Sequence, residues 1–200
     1  MMKRYFYIPF LVIVVSSCNI FQTRTPQLPQ QGQSNFTPPQ LPSIVIQNLQ
    51  NAIAEKYLDG YLWCLSDTAS GNYGGKEFSF EPPSDVFSNY SSVFQGWNRN
   101  SESLYFNNFV NYSSSSASPV LTLFNENYVS LSSDSVEYSY DYDLEWPNTL
   151  QGFGRSYQGY LQFILVQDDH GNWAIRKWID SHTSDTLTTW SELKARLYSK

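Results

Sequence analysis

Apolar and polar positions alternate most clearly between Val136 and Trp146, where Val136, Tyr138, Tyr140, Tyr142, Leu144 and Trp146 share one parity and Glu137, Ser139, Asp141, Asp143 and Glu145 the other. That period of two predicts a strand with one buried and one wet face. Upstream the period is helical. Val45, Leu49, Ala52 and Ile53 recur after Ser43, and Leu58, Tyr61, Leu62 and Leu65 repeat the spacing beyond Asp59-Gly60, so two tandem helices open the domain. Ser, Gly and Asn from Thr68 to Gly75 predict a loop. Lys76–Glu81 alternates and stops at Pro82-Pro83, giving a first strand. A third helix is expected over about 98–111, through Tyr105 and Phe109. Short apolar runs at Val120–Phe124 and Tyr128–Leu131 predict two strands. Tyr157–Gln167 is apolar on both parities near its end and reads as a doubly covered central strand. Asp168-Asp169-His170-Gly171-Asn172 predicts a hairpin into a strand over Trp173–Asp180. Thr189-Trp190-Ser191-Glu192 fits a capping box for a last helix through Leu193, Leu197 and Tyr198.

The start of the chain reads differently. Lys3 and Arg4 precede an apolar run from Tyr5 to Val15, which is too short for a membrane span and has the layout of a secretion signal. Val15-Ser16-Ser17-Cys18 resembles a bacterial lipobox, which implies cleavage after residue 17 and acylation of Cys18. Residues 18–42 hold Pro26, Pro29, Pro38, Pro39 and Pro42 among Gln, Thr, Ser and Asn, a linker composition. The domain is then expected over 43–200. Asn19 does not resemble an inner-membrane retention signal, so the expected location is the bacterial cell envelope, at the outer membrane.

Composition narrows the classes. With 41% hydrophobic, 17% aromatic and 15% charged residues in 200, a packed core is expected. Removal of the leader takes Lys3 and Arg4 and leaves 10 basic against 18 acidic side chains, net −8. Scattered basic residues in an acidic chain argue against nucleic acid as a partner. The two cysteines exclude a disulfide scaffold, and Cys64, among Leu62, Trp63 and Leu65, reads as a core residue. His170 and His182 lack metal-like spacing, and the Asp141, Asp143, Glu145 row reads as a solvated face before a calcium site. No metal or cofactor is expected, and the strong catalytic motifs of hydrolases and nucleotide enzymes are absent.

The order helix, helix, strand, helix and then a run of antiparallel strands predicts an α+β domain: a curved antiparallel sheet covered on one face by helices. From Ser43 to Tyr198 that order resembles the NTF2-like, or SnoaL-like (cystatin-like), cone. Tyr57-Leu58-Asp59-Gly60-Tyr61 resembles its first helix break, and Trp173-Ala174-Ile175 with Trp178 and Asp180 its closing strand. Residues 181–200 extend past the usual last strand. The resemblance implies a concave pocket, here lined by Tyr57, Tyr61, Tyr140, Tyr142, Trp178 and Asp180. Three readings follow. The preferred one is a non-catalytic lipid-anchored protein binding a small molecule or an envelope partner in that concavity. The second is a SnoaL-like isomerase or cyclase with Asp180 as base and a tyrosine such as Tyr61 as donor. The third is an interaction protein docking through its Tyr-rich sheet, with a homodimer as one form. Against catalysis, Asp180 can simply pair with Arg176, Lys177 or a backbone N–H.

Overall fold

The computed structural model describes residues 34–69, 77–184 and 186–200. The expected leader 1–17, Cys18 and the linker as far as residue 33 lie outside the described residues, as does most of the 68–75 loop. Helices α1 (Pro42–Glu55) and α2 (Leu58–Trp63) come first, then β1 (Ser79–Glu81). Short helices α3 (Ser84–Asn89) and α4 (Ser91–Phe94), which the sequence pattern does not predict, lead into α5 (Arg99–Tyr112). Strands β2 (Val120–Ser130), β3 (Ser135–Glu145), β4 (Ser156–Gln167) and β5 (Trp173–Ser181) follow, and α6 (Trp190–Tyr198) is last.

The five strands form one sheet in the order β1-β5-β4-β3-β2. It is antiparallel from β2 to β5, as expected, and β1 joins β5 in parallel, which makes the whole sheet mixed. The reason lies in connectivity: β1 reaches the sheet long before its neighbour, and the helices and strands between them make the crossover a parallel pair needs. Val120–Ser130 is one strand with a bulge, not two strands. Asn125, at φ 55°, and Glu126 together oppose Tyr140 on β3. β4 is central as expected, but its burial alternates: Tyr157, Leu161, Phe163 and Leu165 are fully buried, whereas Ile164 and Val166 on the other face are half-buried. Among the described residues, therefore, one face of the sheet is fully covered and the other partly exposed.

Cross-strand pairs place Tyr142, Leu144, Tyr157, Leu161, Phe163, Trp178 and Asp180 on that covered face. Helix α1 packs Val45, Leu49 and Ile53 into the same core, and α5 adds Tyr105, Phe106 and Phe109, where Phe106, Phe109 and Trp146 stack in series at 5.3 Å between centroids. The segment before α1 is already held to the domain. Asn35 binds the Glu55 carboxylate, Thr37 and Asn48 exchange two hydrogen bonds, and Pro39 accepts from the Trp173 N–H at 2.7 Å. Cys64 is buried, and its thiol donates to the Gly60 carbonyl.

Candidate functional site

Helix α6 inserts between the sheet and α5, and its first turn meets the acid singled out from the sequence. Asp180, near the end of β5, is 1% exposed. Its Oδ1 accepts from the Tyr142 hydroxyl at 2.9 Å, and its Oδ2 accepts from Ser191 N–H at 2.7 Å and Ser191 Oγ at 2.5 Å. Tyr142 Oη in turn accepts from Trp190 N–H at 2.7 Å. The first two amides of α6 thus find their acceptors on β3 and β5, and a carboxylate sits at the positive end of the helix. The expected capping box is corrected by this arrangement: Thr189 makes no cap hydrogen bond, its Oγ1 is buried without a partner, and Ser191 N–H is taken by Asp180.

The backbone permits this because residue 159, opposite Tyr142 on β4, is glycine; a Cβ there would lie 2.8 Å from the tyrosine oxygen and 2.6 Å from Ser181 O. Burial raises the Asp180 carboxyl above its ordinary range, against the hydrogen bonds from Ser191 and Tyr142. Arg176 and Lys177 do not pair with Asp180; Lys177 instead binds Glu81 at 2.6 Å. The backbone partner weighed for Asp180 is present, supplied by α6.

Behind the first turn of α6, the Trp190 ring stands edge-on to Trp178 at 4.6 Å between centroids, and its Nε1 donates to Tyr105 Oη at 2.7 Å. One turn further, Lys194 Nζ meets the Glu102 carboxylate with both side chains fully buried. Tyr61 Oη donates to Glu102 Oε2 at 2.7 Å and Trp97 Nε1 to Oε1 at 2.8 Å. Tyr61, Tyr142, Trp178 and Asp180 are therefore brought together on the concave side, each at 0–1% exposure, with Trp190 and Lys194 occupying the space they enclose. Tyr57 is half-buried and packs on Trp63. Tyr140 stacks on Tyr138 and donates to Glu126 at 2.9 Å.

Glu102, Lys194, Trp97, Tyr105 and Trp190 were not among the site candidates read from the sequence. A signal existed: Glu102 falls on the apolar stripe of its helix with Tyr105, Phe106 and Phe109, and Lys194 on that of Trp190, Leu193 and Leu197. Opposite charges on two apolar stripes imply a buried pair.

The remaining candidates are peripheral. The Asp141 and Asp143 carboxylates accept from Asn125, Ser156 and Gln158 side chains, and no group of three metal-type ligands occurs among the described residues. His182 Nε2 lies 3.1 Å from both oxygens of Asp85, and His170 sits at the hairpin tip. A surface depression of about 230 Å³ is lined by Asp67, Glu77, Asn98, Arg99 and Asn100, none of them a sequence candidate.

No family model matches the chain, and no curated protein is similar to it in sequence. Solved structures are. An aromatic-ring hydroxylase candidate from Novosphingobium aromaticivorans matches with TM-score 0.53 and 11% identity, over 76% of this chain and 92% of that one. A scytalone dehydratase candidate from the same organism gives TM-score 0.53 and 6% identity, over 74% and 89%. A dehydratase candidate of the NTF2-like family from Streptomyces avermitilis gives TM-score 0.53 and 9% identity, over 71% and 93%. At these identities the likeness concerns backbone alone. The chain has the NTF2-like fold, a curved five-stranded mixed sheet with helices on its concave side.

Proposed function

We propose that the chain is a lipid-anchored protein of the bacterial envelope, held in the outer membrane through Cys18, whose NTF2-like domain is non-catalytic and works by binding another envelope component. The observation that carries this reading is the engagement of Asp180 and Tyr142. A general base needs a lone pair facing substrate, whereas both Asp180 oxygens accept hydrogen bonds from Tyr142 and Ser191, and Trp190 stands in the concavity. Binding is then assigned to the exterior. Val120, Phe124, Tyr128 and Val129 on the edge strand β2, with Leu131, are each 43–50% exposed, an apolar set of the kind that marks interaction surfaces. The acidic domain is repelled by anionic headgroups, so acyl chains on Cys18 supply the membrane affinity.

A second reading, an isomerase or dehydratase, is favoured by the 2.9 Å contact between Tyr142 and Asp180 and by the dehydratase candidates among the solved structures. It requires α6 to leave the concavity.

Fractionation of cells carrying Cys18→Ala tests the anchor. The variant is expected in the soluble envelope fraction with an unchanged melting temperature; retention in the membrane fraction with the same extractability as the parent contradicts the anchor.

A further inference from the structure

A row of tyrosines lies along the edge of the sheet, apart from the group around Asp180. Tyr128 and Tyr138 are partners across β2 and β3, with ring centroids 5.0 Å apart, and Tyr138 stacks on Tyr140 at 5.9 Å with 5° between planes. The row runs from Tyr128, 50% exposed, to buried Tyr140. The bulge in β2 adds a carboxylate to it. In a regular strand Glu126 would share the face of Phe124 and Asp141. The extra residue instead brings Glu126 to Tyr140, whose hydroxyl donates to its Oε2 at 2.9 Å, while Asn125 turns to Asp141.

Glu126 is exposed, and among the described residues no lysine, arginine or histidine pairs with it. Its charge is felt along the row: after burial, it is the next cause that raises the Tyr138 and Tyr140 phenols above their ordinary value. Glu126 and Tyr128 stand two residues apart on one face, roughly 6–7 Å along the strand. An unpaired carboxylate beside the negative face of an open phenol ring attracts a cation. Because Tyr140 engages Oε2, the carboxylate does not offer two open oxygens to the fork of an arginine. A lysine ammonium is a point donor and needs only Oε1 and the ring.

The backbone beside this position is available too. β2 ends the sheet, and among the described residues one hydrogen bond, from Gln50 Nε2 to Leu121 O, reaches its backbone from outside the sheet. An edge of this kind accepts an extended chain as a further strand. A side chain of that strand projecting to the tyrosine face lies about 5 Å from Glu126 or Tyr128, and its sequence neighbours project to the opposite face, beside exposed Val129.

We propose that an extended segment of a partner protein adds to the edge of β2 and seats a lysine between Glu126 and Tyr128, with apolar residues on either side of that lysine in its sequence. The inference rests on the reading of β2 as the binding surface and adds the chemistry of what is bound. Pairing with β2 of a second copy does not supply the cation, since Val120–Ser130 contains no basic residue.

NMR titration of the isotope-labelled, purified full chain in detergent tests this with the peptide acetyl-Thr-Val-Lys-Val-Thr-amide and a twin carrying norleucine for lysine. Amides of β2 and β3 around Glu126, Tyr128 and Tyr138 are expected to shift, with the norleucine twin binding about tenfold more weakly. Glu126→Gln keeps an acceptor for Tyr140 and removes only the charge. It is expected to bind the lysine peptide no better than the twin, with an unchanged melting temperature, and Tyr128→Ala is expected to do the same. Equal binding of the two peptides at β2 overturns the lysine seat and leaves β2 as a binding surface. Absence of shifts in β2 at millimolar peptide, or shifts elsewhere alone, overturns both. A response of Glu126 and Tyr128 to phosphatidylethanolamine bicelles without peptide assigns the ammonium to lipid and overturns the proposal.

Discussion

Tyr61, Tyr105 and Tyr142 carry hydroxyls that are buried yet fully engaged, and each serves a neighbour that is itself buried: Glu102, Trp190 and Asp180 respectively. Burial holds all three phenols well above their ordinary value near 10, with the charge of Glu102 adding to the effect on Tyr61 and that of Asp180 to the effect on Tyr142. The folded state therefore keeps protons that the unfolded chain releases above pH 10. By linkage their stabilising contribution is complete below that pH and is lost as pH rises beyond it. In an alkaline titration, part of the tyrosinate absorbance is expected to appear only together with loss of the near-ultraviolet circular dichroism. Ionisation of every tyrosine ahead of that loss contradicts their burial. Asp180 was legible at this scale because it shares parity with Trp178. Its hydrogen bonds were not: Tyr142 was named beside it only as a pocket candidate implied by the resemblance, and Tyr142 and Ser191 lie 38 and 11 residues away and meet it only through register and the return of α6.

At the scale of elements, α6 does what neither its length nor its sequence announces. Its Thr-x-x-Glu start fits a local cap, yet strands β3 and β5 satisfy its first amides and its aromatic side faces the sheet. Trp190→Ala removes a ring that touches Trp178 and Tyr142 and leaves Tyr105 Oη without its donor. The expected loss is about 3–5 kcal/mol, read as a lower denaturant midpoint. Added indole is expected to refill the space and recover part of the midpoint in the variant, with no effect on the parent. A variant as stable as the parent would mean that Trp190 does not occupy the concavity. The alternation of β3 was readable because its outer face is wet, and the last hairpin because its turn residues are local. The bulge in β2 was hidden: Asn125 and Glu126 break the period within a run that then resumes, so one strand looks like two. Helices α3 and α4, of 6 and 4 residues, are too short to show a period.

For the whole molecule, the order of elements sufficed to place the chain in the NTF2-like fold, while the state of its concavity did not follow from that order. Whether a cone is open depends on what packs into it, and residues beyond the last strand, which pattern alone marks only as an extension, supply Trp190 and Lys194. Among the described residues, those on the concave side are buried beneath α6 while apolar side chains on the edge strand β2 are exposed, the contrast on which the proposed surface binding rests. The state of α6 thus separates a binding module from a pocket enzyme. Hydrogen exchange followed by mass spectrometry measures it directly. If α6 seals the concavity, amides of the 189–197 segment are expected to exchange as slowly as those of central strand β4, through global unfolding alone. Exchange of that segment at the rate of an exposed loop, while β4 remains protected, would contradict a closed interior and return Asp180 and Tyr142 to the role of a reactive pair.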